Sequence, residues 1–190
     1  MYLRPKRRRY IAEEEAADVT SSDDVMAYGT SVFFYAPVTR ANVLKLIGCL
    51  RDANASAARE GATGVRIYLH SEGGDAFAGL SAMDHIRGNA MPVTTVVDGM
   101  VASAATFLLL AAPARVALPN PFVRIHQVSI SGFEGKYVAL MDACKNTNAL
   151  MDTMRRVYLT NTKLSGERLE EILRAEIDMD AETCVREGIV

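Results

Sequence analysis

The sequence predicts an α/β domain of layered architecture with largely parallel strands, and three features of its 190 residues carry that expectation. Short runs of β-forming residues, such as Val65-Arg-Ile-Tyr-Leu69 and Val93-Thr-Thr-Val-Val97, alternate with segments whose apolar residues recur at helical spacing. Glycine-bearing turns, His70-Ser-Glu-Gly-Gly74 and Asp98-Gly99 among them, separate the two kinds of segment. A hydrophobic content of 49% with 23% charged residues is that of a globular chain able to bury one sizeable core.

Taken in order, residues 1–30 differ in composition from the rest. The basic cluster Lys6–Arg9 is followed by acidic and small residues, Glu13–Glu15 and Ser21–Asp24, which reads as a flexible N-terminal arm. Residues 31–190 form the expected domain, with Val32-Phe-Phe-Tyr35 as its first strand. Thr39 is placed to cap a helix through about Ala58 that buries Val43, Leu46, Ile47 and Leu50. After the strand at Val65–Leu69, Asp75 caps a helix with the apolar stripe Phe77, Leu80, Met83 and Ile86, ended by Gly88. The unit repeats as a strand at Val93–Val97, stopping at Gly99, and a helix from about Ser103. Strands follow at Arg115–Leu118 and Phe122–Ser129. A long helix from Lys136 to about Thr160 then carries apolar residues around more of its circumference than one core face needs, which predicts contact with a second chain. Ser165 and Asp180 cap the two last helices.

Composition narrows the function. The formal net charge of −2 gives no reason to expect nucleic-acid binding, and the longest apolar run, Met100–Pro113, falls short of the ~20 residues a membrane span requires. No signal-peptide pattern opens the chain. Cys49, Cys144 and Cys184 are far apart and in apolar company, as reduced core residues of a cytoplasmic protein would be, and no metal-ligand or cofactor motif appears.

Chemistry concentrates at Asp98–Leu110. A serine on a strand-to-helix turn exposes its hydroxyl, and the helix start behind it offers unpaired N–H groups to a developing oxyanion. The same small residues, Ala102 to Ala105, also suit close helix packing. A nucleophile at Ser103 requires a base. Of the three histidines, His85 falls on a polar helix face, His70 ends a strand beside the glycine pair, and His126 lies in Val123-Arg-Ile-His-Gln127. His126 suits a base or a satisfied core residue equally. None of the five lysines falls between Lys45 and Lys136, which disfavours a Ser–Lys dyad. The Gly73-Gly74 turn allows backbone amides to approach a substrate oxygen.

The succession HSEGGDAFAGLSAMDHI, VVDGMVASAATFLLLAA, LPNPFVRIHQ and SGFEGK before a long helix resembles the proteolytic subunit of the Clp protease (the ClpP family) over roughly residues 31–190. The resemblance implies a repeated ββα, crotonase-like core with a protruding handle helix. It implies a serine endopeptidase with Ser103 as nucleophile, His126 as general base and the amides of Gly74 and Ala104 as oxyanion hole. The triad acid would be Glu176, found by counting back from Glu187-Gly-Ile-Val190, with Asp178 as the alternative. It further implies heptameric rings stacked into a tetradecamer, polypeptide substrates, an AAA+ unfoldase partner, and no cofactor or metal. Several features depart from the family. Glu72 stands where it has proline, the connection from Leu108 to Asn120 is shorter, the C-terminus stops at Val190, and residues 1–30 do not match its N-terminal segment. A non-catalytic ring subunit, a viral head-maturation protease working without an unfoldase, and an acyl-CoA enzyme on the same core are the competing expectations.

Overall fold

The computed structural model describes residues 24–129 and 135–190, so the basic and acidic runs of the expected arm, like Gly132, lie outside the described residues. Strand order in the single sheet is β1 (Val25–Tyr28), β2 (Ser31–Phe34), β3 (Val65–Ser71), β4 (Val93–Ala102), β6 (Phe122–Arg124), β7 (Asp178–Met179), with β5 (Ala114–Ala117) also paired to β4. β2, β3, β4, β5 and β6 run parallel, and β1 and β7 are antiparallel edges. The expected arm therefore ends earlier than residue 30. Its last residues pair as a hairpin with β2 through the Gly29 turn, because Val25 and Ala27 alternate inward with Met26 and Tyr28 outward.

Register explains the two faces. Val32, Ile67 and Thr95 align across three strands, as do Phe34, Leu69 and Val97, and all six are buried. That face packs under α1 (Arg40–Glu60), α2 (Ala76–Arg87) and α3 (Ala105–Ala111). The opposite face presents Phe33 stacked on Tyr68 at 4.9 Å, and Tyr35 stacked on His70. The caps fall where their side chains predict. Thr39 accepts from Asn42 N–H, Asp75 from Phe77 and Ala78 N–H, Ser165 from Arg168 N–H to open α5 (Gly166–Ala175), and Asp180 from Thr183 N–H to open α6 (Ala181–Arg186).

The main departure from the expected fold lies in β4. Leu69 pairs with Val97 and Ser71 with Val101, so two extra residues bulge out at Asp98-Gly99. Gly99 takes φ +83°, and a Cβ there would lie 2.6 Å from His70 Nδ1. The strand does not stop at Gly99. Before the bulge it pairs with β5, and beyond it Met100, Val101 and Ala102 pair with Phe122, Val123 and Arg124 of β6. A bulge re-aims a strand, and here it carries β4 to a new neighbour just before Ser103.

Other expectations are corrected. α3 starts at Ala105, two residues after Ser103, and is buried on all sides as the central helix. β6 ends at Arg124 and not at Ser129. Phe77 is 71% exposed, because the stripe that α2 buries runs through Ala78, Ala82, Met83 and Ile86. Cys184 is buried, Cys49 half-buried, and Cys144 exposed on α4 (Tyr137–Asn161). α4 buries only Met154 and Tyr158, both in its second half. Tyr137, Val138, Leu140 and Met141 of the first half stand in solvent, so this part protrudes from the domain.

Candidate active site

Ser103 follows β4 directly and has φ 54°, one of two non-glycine residues among those described with positive φ. A left-handed L-residue is disfavoured by about 1–2 kcal/mol, so neighbours must hold it. They do so at both of its peptide groups. Its N–H donates to Arg124 C=O at 2.9 Å. Its carbonyl accepts from the Thr106 hydroxyl at 2.6 Å and from Thr106 N–H at 3.0 Å. Since Thr106 spends its proton on that carbonyl, the fully buried Tyr158 hydroxyl, 2.8 Å away, donates to Thr106 Oγ1. Burial pushes the Tyr158 phenol well above the ordinary tyrosine range and keeps it a donor. Ser103 Oγ itself makes no hydrogen bond among the described residues.

This hydroxyl chain ties the handle helix to the serine turn. Thr106→Val leaves the Tyr158 hydroxyl buried without a partner and leaves the Ser103 carbonyl only its bond from the residue 106 N–H, and is expected to destabilise by roughly 1–3 kcal/mol in urea unfolding. Tyr158→Phe keeps the Thr106–Ser103 bond and should lose only about 1 kcal/mol. A larger loss for Tyr158→Phe would mean that the chain does not support the turn.

The glycine pair abuts the same turn. Gly73 has φ +97°, and a Cβ there would sit 2.6 Å from both Ala102 O and Ser103 Cβ and 2.9 Å from Ala104 N. Gly73 C=O accepts from Val38 N–H and Val38 C=O accepts from Asp75 N–H, which pins the turn from the far side. Gly74 and Ala104 line one cleft of about 400 Å3 with Ser103 and His126, and neither of their N–H groups has an acceptor among the described residues. Ala76, Phe77, Phe107, Val128 and Met154 give this cleft an apolar wall.

His126 is half-buried just past β6, and its Nδ1 lies 2.7 Å from Gln127 C=O. The proton assigned from that bond sits on Nδ1, which leaves the Nε2 lone pair free, as a base requires. On its other side His126 borders a second cavity of about 460 Å3 with Glu72, Arg124 and Glu176. Glu176 is the other left-handed residue (φ 49°), the exposed C-cap of α5, and its carboxylate makes no hydrogen bond to His126. Asp178 is held by Arg124 in a two-pronged ion pair, Nε–Oδ1 2.7 Å and Nη2–Oδ2 2.8 Å. Thus Ser103, His126, Gly74 and Ala104 come together in one cleft. Glu176 reaches the neighbouring cavity, and Asp178 is engaged elsewhere.

The other histidines lie apart. His70 is on the outward sheet face, bonded through Nδ1 to Asp98 C=O at 2.8 Å beside the Tyr35–Asp98 hydrogen bond, and His85 is exposed on α2. Desolvation first, then the hydrogen bond to Asp98, pushes the Tyr35 phenol up to about 12.

The family model described as Clp protease matches residues 14–190. The chain belongs to the Clp protease family. The match begins ahead of the stretch whose motifs carry the resemblance, and it includes the β1–β2 hairpin. Among curated proteins the chain is similar to the ATP-dependent Clp protease proteolytic subunit of Deinococcus radiodurans, 33% identical over 128 residues, 66% of this chain and 62% of that protein. It is also similar to the protein of the same description from Pinus thunbergii, 28% identical over 125 residues, 65% of this chain and 64% of that protein. The chain thus spans less than two thirds of the length of the curated relatives it matches. Within this Clp-family fold, sequence reasoning missed Arg124, Thr106, Tyr158 and the Gln127 carbonyl. Only the cross-strand pair Arg124–Asp178 left a trace, as opposite charges on two short segments flanked by apolar residues.

Proposed function

We propose that this Clp-family chain is a serine endopeptidase acting on unfolded polypeptides. The observation that carries the reading is a strained serine with an uncommitted hydroxyl, sharing a cleft with a histidine whose Nε2 is free. His126 Nε2 takes the Ser103 proton as Oγ bonds to the scissile carbonyl carbon. The oxyanion that forms accepts from the Gly74 and Ala104 amides. His126 then delivers its proton to the leaving amine as the C–N bond breaks, and water hydrolyses the acyl ester by the same route in reverse. Glu176 is the triad acid of this reading. Gln127 C=O already fixes the imidazole tautomer, and Glu176 stabilises the imidazolium from the adjacent cavity.

In this reading the chain works in a ring assembly, two stacked heptamers, fed by an AAA+ unfoldase in the cytoplasm. Support comes from the protruding first half of α4 and from the outward sheet face, both of which leave large apolar side chains for a second copy to cover. Among the described residues no helix is long and apolar enough to cross a membrane. A second reading, a non-catalytic ring subunit, draws on the lack of a carboxylate bonded to His126. Treatment of the full chain with a fluorophosphonate probe and peptide mapping separates the two. The expected adduct is on Ser103. A folded, assembled chain that stays unlabelled would establish the non-catalytic subunit.

A further inference from the structure

Arg124 touches every segment that bears a triad residue. It closes β6 two residues before His126, and its carbonyl accepts the Ser103 N–H at 2.9 Å. Its guanidinium grips Asp178, two residues after Glu176, through two parallel hydrogen bonds of 2.7 and 2.8 Å. That fork geometry fixes distance and direction together, which a single contact does not. We propose that Arg124 is a positioning residue, a clamp whose grip on Asp178 sets where Glu176 stands relative to His126. The inference rests on the serine-peptidase reading above and adds a component to its site.

The local architecture makes such a clamp necessary. β7 has two residues, Asp178 and Met179, so its ladder to β6 is minimal, and Asp178 is exposed while Met179 is buried. Glu176 is held in a left-handed conformation that a glutamate does not adopt unaided, with no hydrogen bond from its own side chain. Lateral restraint must therefore come from the segment just after it, where the Arg124–Asp178 pair and Met179 are the anchors. The charges suit the task. Asp178 raises the Arg124 guanidinium first through the hydrogen bond and then through its charge, with smaller pulls from Glu176 and Glu72. The clamp thus consumes Asp178 and leaves Glu176 as the uncommitted carboxylate on the α5–β7 side of His126. The pair is partly open to water, at 40% and 34% side-chain exposure, so its loss should leave global stability nearly unchanged while the site loosens.

The test uses the full chain with four variants: Arg124→Ala, Arg124→Lys, Asp178→Ala, and the exchange Arg124→Asp with Asp178→Arg. Each is assayed with a peptide substrate and the fluorophosphonate probe, with thermal midpoints measured alongside. Displacing an acid by about an ångström is expected to lower kcat ten- to a hundredfold with KM unchanged in both alanine variants. Arg124→Lys, which keeps the charge without the fork, should fall between them and wild type. The exchanged pair should recover most of the lost kcat, a result that a direct triad role for Asp178 would forbid. Wild-type kcat in Arg124→Ala, or an exchanged pair no better than Asp178→Ala, overturns the clamp while the nucleophile stands. Failure of the wild type to label at Ser103 overturns the peptidase reading itself.

Discussion

His126→Ala is expected to slow fluorophosphonate labelling of Ser103 by about 10⁴-fold or more, with the thermal midpoint close to wild type. The imidazole borders both cavities, and its one internal hydrogen bond goes to the carbonyl of the next residue, so its removal strands no buried partner. In the proposed mechanism it is the acceptor of the Ser103 proton. Glu176→Gln should behave differently. An acid that alone holds the histidine tautomer costs about 10⁴-fold when neutralised. Here Gln127 C=O holds Nδ1–H, and in the proposed mechanism Glu176 contributes charge and alignment alone, so a loss of about 10²-fold is expected. Equal losses in the two variants would show that Glu176 moves into direct contact with Nδ1 in the working enzyme. Unchanged labelling in His126→Ala would remove His126 from the mechanism.

Gly73→Ala is expected to have the second-largest effect, and it strikes folding and chemistry together. At φ +97° an L-residue is strained wherever it stands, and this Cβ would meet two backbone atoms and the Ser103 Cβ at 2.6–2.9 Å. Ordinary contact needs nearly an ångström more, so the Ser103 turn must move away from the glycine pair and spoil the pairing of the Gly74 and Ala104 amides. A destabilisation of about 3–5 kcal/mol in urea unfolding and at least a hundredfold loss of labelling rate under folding conditions are expected. Gly61→Ala is the control. Gly61 also has positive φ (+67°), as the C-cap of α1, but nothing lies within 4 Å of the added Cβ. It should lose about 1 kcal/mol and label at the wild-type rate. If Gly73→Ala behaved like Gly61→Ala, close packing of the two turns would not be what shapes the site.

These expectations rest on features of unequal legibility. The caps at Thr39, Asp75, Ser165 and Asp180 were readable because a capping side chain bonds within three residues of itself, and their helices follow as local consequences. Ser103 and the glycine pair were readable because a strand–turn–helix junction needs small residues at fixed places. The strand at Val65–Leu69 was readable as a β-forming run, and along it Val65, Ile67 and Leu69 are the buried residues. Phe77 was misplaced for the opposite reason: helical spacing gives a stripe but does not say how wide it is, and the buried arc of α2 centres on the small Ala78 and Ala82.

The order of the helices and of the strands other than β1 and β7, and the turn that presents Ser103, were determined by the sequence alone, because each is decided by neighbours a few positions apart. Tertiary structure decided the rest. It put His126 and not His70 in the cleft with Ser103, because the bulge at Asp98-Gly99 moves the end of β4 onto β6 and leaves His70 on the outer sheet face. It also separated Glu176 from Asp178, because β7 pairs with β6 and brings Asp178 opposite Arg124. Both outcomes depend on which strands become neighbours. That is settled by burial of the shared core, summed over distant residues, and no local window of sequence contains it.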